Sequence, residues 1–108
     1  MLDIKEILKK TVEIKASDLH ITVGLPPMMR INGELRPFGE EILSQEDTER
    51  MAKQLLNEEQ VQTLEKNGEV DLSYVIPGVS RFRVNVYKQR SSYSAAIRVI
   101  WIKIPSID

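Results

Sequence analysis

The stretch Arg81-Phe-Arg-Val-Asn-Val-Tyr87 alternates polar and apolar residues without interruption. Successive side chains of a β-strand point to opposite faces of the sheet, so this alternation predicts a strand with one buried and one solvated face. Phe82, Val84 and Val86 form the apolar side, and two arginines share the polar side. The pattern indicates a sheet that is packed on one face and wet on the other.

Similar patterns lie on both sides of this stretch. Residues 18–23 and 69–76 place apolar side chains at every second position, which predicts two further strands. Residues 92–101 are mostly apolar, and apolar residues lie on both faces, with Ala96 and Ile100 on the second. A strand of that kind is usually central in its sheet or covered twice.

The dipeptide Asn32-Gly33 separates two more short strand segments and is a strong hairpin signal. A strict two-residue turn would put Arg30 opposite Leu35, which mismatches the polar and apolar faces of the two strands. We therefore expect either a β-bulge or a half-exposed hairpin here.

Three segments have helical periodicity, and their ends have sequence signals. Residues 3–15 predict the first helix, Ser44 with Asp47 resembles a capping box, Asn57 is a plausible second N-cap, and Gly68 is a C-terminal stop. The element order is α-β-β-β-α-α-β-β-β. Two blocks of strands separated by helices favour an α+β domain, with an antiparallel sheet of about six strands and about three helices on one face.

The composition excludes several kinds of site. With 108 residues the chain has room for one domain, and without cysteine it has neither disulfides nor thiolate chemistry. Its single histidine cannot form a histidine cluster, and we predict no metal site. The apolar runs are too short to span a membrane, and the first residues lack the apolar core of a signal peptide.

No phosphate-binding loop is present, because the five glycines lie far apart and none precedes Lys-Ser or Lys-Thr. No other catalytic motif appears, so we predict no catalytic residue and no cofactor for the chain by itself. Asp18 and His20 lie on one strand face and could do acid–base work. Their motif contains no nucleophile, so a structural hydrogen-bonding role is the favoured interpretation.

Charge is distributed unevenly along the chain. Residues 1–80 carry 9 Lys/Arg and 15 Asp/Glu, whereas residues 81–108 carry 6 Lys/Arg and one Asp. Arg81 and Arg83 share one strand face about 7 Å apart, and Arg98 joins them if the last two strands pair. Two guanidinium forks at that spacing can hold neighbouring phosphate oxygens, although an exposed basic strand without a ligand has the same pattern.

Two neighbours in the sequence bear on these arginines. Asn85 and Tyr87 share their face, and we expect them to hold the arginines in place. Single-stranded nucleic acid is a rival ligand, but Phe82 lies on the opposite face, and the pI near 5.9 argues against a nucleic-acid domain.

The segment Ala16-Ser-Asp-Leu-His-Ile-Thr-Val-Gly-Leu-Pro-Pro-Met-Met-Arg-Ile-Asn-Gly-Glu-Leu-Arg36 resembles the N-terminal domain of type IV pilus retraction ATPases, the twitching motility branch of the type II/IV secretion ATPase superfamily. The resemblance returns at residues 71–74, 77–85 and 96–98 and ends at 104–106. Residues 40–68 match only in pattern. Trp101 stands where the family commonly has proline.

This resemblance implies a PAS-like domain over residues 1–102 and the start of a linker at 103–108, with the motor domain and its P-loop beyond Asp108. It further implies a hexameric, ATP- and Mg-dependent enzyme that is cytoplasmic and peripheral at the inner face of the membrane. The implied partners are the C-terminal ATPase domains of its own chain and of neighbouring subunits, and the pilus inner-membrane machinery. Neither nucleic acid nor direct membrane insertion is expected.

Residue by residue, the resemblance assigns two groups. Arginines that close over the nucleotide phosphates correspond to Arg81, Arg83 and Arg98. Positions with a structural or interdomain role correspond to Asp18, His20 and Arg30. A stand-alone PAS-like sensor or protein-interaction domain, binding a small molecule or a partner, is the alternative function. In isolation we expect a monomer or a weak dimer in solution, with any dimer in a crystal formed by exposed edge strands.

Overall fold

The computed structural model describes residues 3–101. The three helices are α1 (Ile4–Glu13), α2 (Gln45–Leu55) and α3 (Glu58–Asn67). The six strands are β1 (Asp18–Ile21), β2 (Met28–Ile31), β3 (Glu34–Pro37), β4 (Glu69–Ile76), β5 (Ser80–Gln89) and β6 (Ser92–Ile100). The predicted α+β class and element order are confirmed. The predicted linker, residues 103–108, lies outside the described residues.

All six strands form one antiparallel sheet in the order β3-β2-β1-β6-β5-β4. The last strand is central, as its apolar character predicts, and it pairs with the first strand on one side and with β5 on the other. Its second face is not covered, because Arg98 and Ile100 are exposed. Central position, and not double coverage, explains its composition.

The helices pack on one face of the sheet only. Alpha-helix α1 contacts β1 and α2, α2 lies on β6, and α3 lies on β4 and β5. The sheet contributes alternate residues to this core, including Leu19, Met29, Phe82, Val84 and Ile97. No helix within residues 3–101 is long and apolar enough to cross a membrane. The opposite face, which we call the open face, carries the polar positions of the strands.

The helix ends form as the sequence predicts. The Ser44 hydroxyl accepts from the Asp47 backbone N–H, and the Asp47 carboxylate accepts from the Ser44 N–H at 2.9 Å. That backbone hydrogen bond is the largest cause lowering the pKa of Asp47. Asn57 forms the same reciprocal pair with Gln60, and Gly68 ends α3 with φ of +83°.

The hairpin of β2 and β3 is a strict two-residue turn with Arg30 opposite Leu35, so the bulge expected as one alternative is absent. The other alternative, a half-exposed hairpin, is confirmed, because every residue of β3 is exposed. The pairing of Arg30 with Leu35 costs little at this edge of the sheet, because no residue of β3 is buried in the core.

The sequence did not reveal that β5 and β6 meet through a turn of the same kind. Gln89 pairs with Ser92, and the two residues between them, Arg90 and Ser91, have φ of 52° and 70°. These are the conformations that Asn32-Gly33 adopts in the other hairpin. A left-handed backbone is costly for residues with a Cβ, so this turn carries strain.

A polar cluster ties α3 to the sheet. The Glu65 carboxylate accepts from Lys88 Nζ at 2.9 Å and from the Tyr93 hydroxyl at 2.8 Å. Lys88 Nζ also lies 5.3 Å from the centroid of the Tyr93 ring. Burial, and then the hydrogen bond to Glu65, raise the pKa of Tyr93 to about 12, whereas Lys88 and Tyr93 lower the pKa of Glu65.

Replacing Ser91→Gly should raise the free energy of unfolding by about 0.5–1 kcal/mol, because glycine adopts the left-handed backbone without a Cβ clash. The matched control is Gly33→Ala, whose added Cβ meets no atom within 4 Å, so that only backbone conformation is tested. It should lower stability by a similar amount. Urea denaturation measures both, and a destabilised Ser91→Gly would contradict the strained turn.

The stability that Tyr93 contributes should be present below pH 10 and lost as pH rises toward 12. The folded state raises its pKa, so unfolded protein loses this proton first. Tyr93→Phe should be about 1 kcal/mol less stable near neutral pH and decline less above pH 10. Urea denaturation across pH 8–12 tests this, with Tyr87→Phe as control. Equal alkaline declines in wild type and Tyr93→Phe would contradict it.

Candidate functional site

Strand pairing places four charged residues in one row across the open face. Asp18 of β1 lies opposite Arg30 of β2 on one side and opposite Arg98 of β6 on the other, and Arg98 lies opposite Arg83 of β5. Directly opposite residues of an antiparallel pair have Cβ atoms about 5 Å apart. The row therefore contains three guanidinium groups and one carboxylate. Because β5 and β6 pair, Arg98 joins the β5 arginines on this face, opposite Arg83.

Asp18 is the anchor of this row. Its carboxylate lies 3.6 Å from Arg30 Nε and 3.4 Å from Arg98 Nε, and it accepts from the Ser17 hydroxyl at 2.8 Å. Its side chain is only 17% exposed. Its single negative charge is thus shared between the arginines of the two adjacent strands and compensates one of their two positive charges.

His20 lies one pair further along the same strand, opposite Met28 and Ala96. Its side chain forms no hydrogen bond or ion pair with any residue from 3 to 101, Asp18 included. An Asp–His acid–base pair is therefore not formed. Arg30 is further held by donating to the Gly33 carbonyl at 3.1 Å, which ties it to the hairpin turn.

Arg83 differs from its neighbours because it has no counterion. Within residues 3–101 neither Arg83 nor Arg81 forms a side-chain hydrogen bond or ion pair, and both are exposed. Arg83 lies opposite Arg98, whose guanidinium is directed to Asp18. Like charges directly opposite each other destabilise a sheet, so a bound anion would relieve this pair.

The surroundings of Arg81 are apolar. Val75 lies opposite it on β4 and Ile100 on β6, and both are exposed. Arg81 therefore lies beside the charged row, one pair of positions beyond Arg83, with apolar surface on both flanks. All three predicted phosphate-contacting arginines, and all three predicted structural or interdomain residues, are on the open face.

A shallow, open depression of about 240 Å³ lies next to Arg83. Its floor is Ala96, a small residue between His20 and Asn85 of the neighbouring strands. The lining residues are Asp18, His20, Asp71, Arg83, Asn85, Ala96, Ile97 and Arg98. Because the depression is open to solvent, a ligand here would need a second surface to enclose it.

Asn85 does not hold the arginines as expected. Its amide Nδ2 lies 3.4 Å from Glu69 Oε1 and 3.4 Å from Asp71 Oδ1 of β4. Alternation within 69–76 puts these two acids at the polar positions of β4, but nothing in the sequence pattern places them beside Asn85. Only the pairing of β4 with β5 brings them beside Asn85.

Metal binding has no basis in the part of the chain described. No three His, Asp or Glu side chains between residues 3 and 101 lie close enough together to hold an ion. The donor set here consists of guanidinium groups, which suit phosphate or carboxylate oxygens.

Known proteins resemble this chain both in sequence and in structure. No protein-family model matches the chain. The type IV pilus retractation ATPase PilT of Pseudomonas aeruginosa is 35% identical over 107 residues, which are 99% of this chain and 31% of that protein. The type IV pilus ATPase PilU of the same organism is 33% identical over 107 residues, which are 99% of this chain and 28% of that protein.

A crystal structure of the pilus retraction motor PilT with bound ADP has a TM-score of 0.90 to this chain. It is 41% identical and covers 97% of this chain, which in turn covers 31% of that one. The chain thus spans about a third of the length of the relatives it matches. The resemblance drawn from the sequence is confirmed: this chain is an N-terminal domain of the PilT-like ATPases, within the secretion ATPase family.

Proposed function

We propose that this chain is the regulatory and assembly domain of a hexameric type IV pilus retraction ATPase. It packs on the ATPase domain of its own chain and of neighbouring subunits, and it supplies arginines to the phosphates of ATP. The observation that carries the proposal is the exposed pair Arg83 and Arg98, of which Arg83 has no partner within residues 3–101.

The chemistry of the arginines fits phosphate. A guanidinium stays charged at any physiological pH and donates two parallel hydrogen bonds to neighbouring oxygens. Arg98 is held at Asp18, so its direction is limited, whereas Arg83 is free to reach outward. Arg83 is therefore the residue that we assign to direct phosphate contact, with Arg98 beside it and Arg81 at the apolar margin.

The open face explains why a second domain is required. The depression beside Arg83 is shallow and holds no enclosed volume for a nucleotide. Docking of an ATPase domain on this face would exclude water and strengthen the interaction of the guanidinium with phosphate. Because the arginines lie on a rigid strand, domain closure would bring them to the phosphates together, which couples closure to hydrolysis.

The ligand preferences of ATP and Mg assign their contacts to different domains. ATP supplies the phosphoryl group, and the arginines of this chain suit its oxygens. Mg requires carboxylate or hydroxyl ligands, and residues 3–101 contain no such cluster. We assign the metal ligands and the phosphate-binding loop to the ATPase domain, and we expect this chain by itself to bind ATP weakly or not at all.

The remaining assignments follow from the type of machine. An ATP-driven motor works in the cytoplasm, and contact with the pilus inner-membrane machinery would hold it at the inner face of the membrane. His20 and Arg30, on the same open face as the arginines, would then contribute to packing between domains.

A stand-alone PAS-like sensor is less well supported. A sensor needs a cavity that encloses its ligand. The helix-covered face of the described sheet is filled by its own side chains, and the depressions beside residues 3–101 that we describe are shallow and open. No observation favours a small-molecule ligand over a protein surface.

Arg83→Ala in the full-length enzyme should lower ATPase turnover about ten- to a thousandfold, or about 1.4 to 4 kcal/mol of activation barrier. The matched control is Arg36→Ala, which removes an exposed, Glu34-paired arginine from β3 at the sheet edge and should leave turnover unchanged. Steady-state phosphate release measures both. Wild-type turnover in an Arg81/Arg83 double alanine variant would contradict the proposal.

The same substitution should leave the fold of this chain intact, because Arg83 is exposed and contributes nothing to the core. Urea denaturation of the Arg83→Ala chain should give a free energy of unfolding within about 0.5 kcal/mol of wild type. Loss of folding would instead identify Arg83 as a structural residue.

Asp18→Asn should tighten the weak binding of tripolyphosphate to this chain about two- to fivefold, because it removes the carboxylate that neutralises Arg98. Arg83→Ala should weaken the same binding. Glu34→Gln, which removes an acid from the edge strand, is the control. Calorimetric titration at low salt measures all three, and weaker binding by Asp18→Asn would oppose the assigned role of Asp18.

A further inference from the structure

The two edges of the sheet differ in how well they are protected. The edge strand β3 has four residues, ends at Pro37 and carries the paired charges Arg36 and Glu34. Short length, proline and charge are the usual protections against pairing with another chain. The other edge strand, β4, has eight residues and no proline, and its two charges, Glu69 and Asp71, both lie in its first half, so the second half lacks these protections. No strand within residues 3–101 pairs with its outer side.

Charge is ordered along β4. On the open face its residues run from Glu69 and Asp71 to Ser73 and Val75, so that the acids lie in the first half and the apolar residue in the second. The core face carries the apolar residues Val70, Leu72, Tyr74 and Ile76. Leu72 and Tyr74, in the middle, are only half-buried.

This order lets the strand pair with a second copy of itself in one direction without placing acid against acid. In an antiparallel pair, opposite residues share a face of the sheet. In a two-fold pair one residue therefore lies opposite its own copy, and the axis passes between the two. Centred on Ser73, the pair puts Asp71 opposite Val75, and centred on Leu72 it puts Glu69 opposite Val75. Neither register puts two acids opposite each other, whereas an in-register parallel pair would.

Apolar surface continues past the end of β4. Val75 is 52% exposed and Trp101 53%, and with Pro77 and Val79 they line a depression of about 230 Å³. Half-buried Leu72 and Tyr74 add apolar surface on the other face. A strand paired with this edge would cover apolar surface on both faces of β4.

We infer that a second copy of this chain pairs with β4 in antiparallel orientation and extends the sheet across a two-fold axis. Main-chain hydrogen bonds would supply the affinity, and avoidance of acid-against-acid pairs would set the antiparallel direction. The contact is small for a stable dimer, so we expect reversible association in the micromolar to millimolar range. The inference rests on the fold alone and is independent of the proposed ATPase role.

The test uses the sign of a charge at one exposed position. In either register Val75 faces an acid of the other copy, so Val75→Lys should tighten dimerisation and Val75→Glu should weaken it, each about fivefold. Within one chain the expected effects are reversed, because Val75 lies opposite Arg81. Folding stability therefore cannot imitate the result. Sedimentation equilibrium of the purified chain measures the dissociation constants.

Leu35 supplies the matched control. It is 46% exposed on the open face of the opposite edge strand, so Leu35→Lys and Leu35→Glu repeat the same changes there and should leave association unchanged. Tightening by Val75→Lys together with weakening by Val75→Glu supports the β4 pairing. A chain that stays monomeric up to about 1 mM, an equal loss with both Val75 variants, or a response to the Leu35 variants would overturn it.

Discussion

The pairing of β1 with β6 is the contact on which the rest of the structure depends. It joins the first three strands to the last three across the whole length of the chain, and it brings Asp18 within 3.4 Å of Arg98, which is 80 residues away. The backbone extends this pairing by one hydrogen bond, since the Val99 N–H donates to the Ser17 carbonyl just before β1. Without this pair there would be two separate three-stranded sheets, and the core that Leu19 of β1 shares with Ile97 of β6 would be divided.

Coverage of one face decides where function can lie. The helices bury the alternate apolar residues of the strands, and the polar positions that remain form a flat surface with little enclosed volume. A flat charged surface of this kind suits docking against another protein domain better than capture of a small ligand. In the proposed function, the arginines on these strands form one part of a composite site. Asp18 holds Arg98 before a partner arrives, whereas the Arg83 side chain is free to reach outward.

The structure balances charge differently at different places. Asp18 compensates Arg30 and Arg98, and Glu65 compensates Lys88. Arg83 has no such acid among the described residues. The nearby acids of β4, Glu69 and Asp71, accept hydrogen bonds from the Asn85 amide instead. The same strand carries its acids at one end and exposed valine at the other. Unbalanced charge on the face and unprotected backbone at the edge are separate features, and each points to a different contact.

The sequence by itself determined the elements, because alternation, capping and turn signals are local: the strand at 81–87, the caps at Ser44 and Asn57, and the Asn32-Gly33 turn all form where their residues predict. It also placed Arg81 and Arg83 on one face. Strand order was not predictable from local pattern, since any two antiparallel strands satisfy the same alternation. Only the tertiary structure decided that Asp18 binds Arg98, that Asn85 turns to the acids of β4 and that β4 is an edge. Those contacts join residues distant in the chain, and the pairing that creates them is stabilised by the shared core, which no single segment encodes.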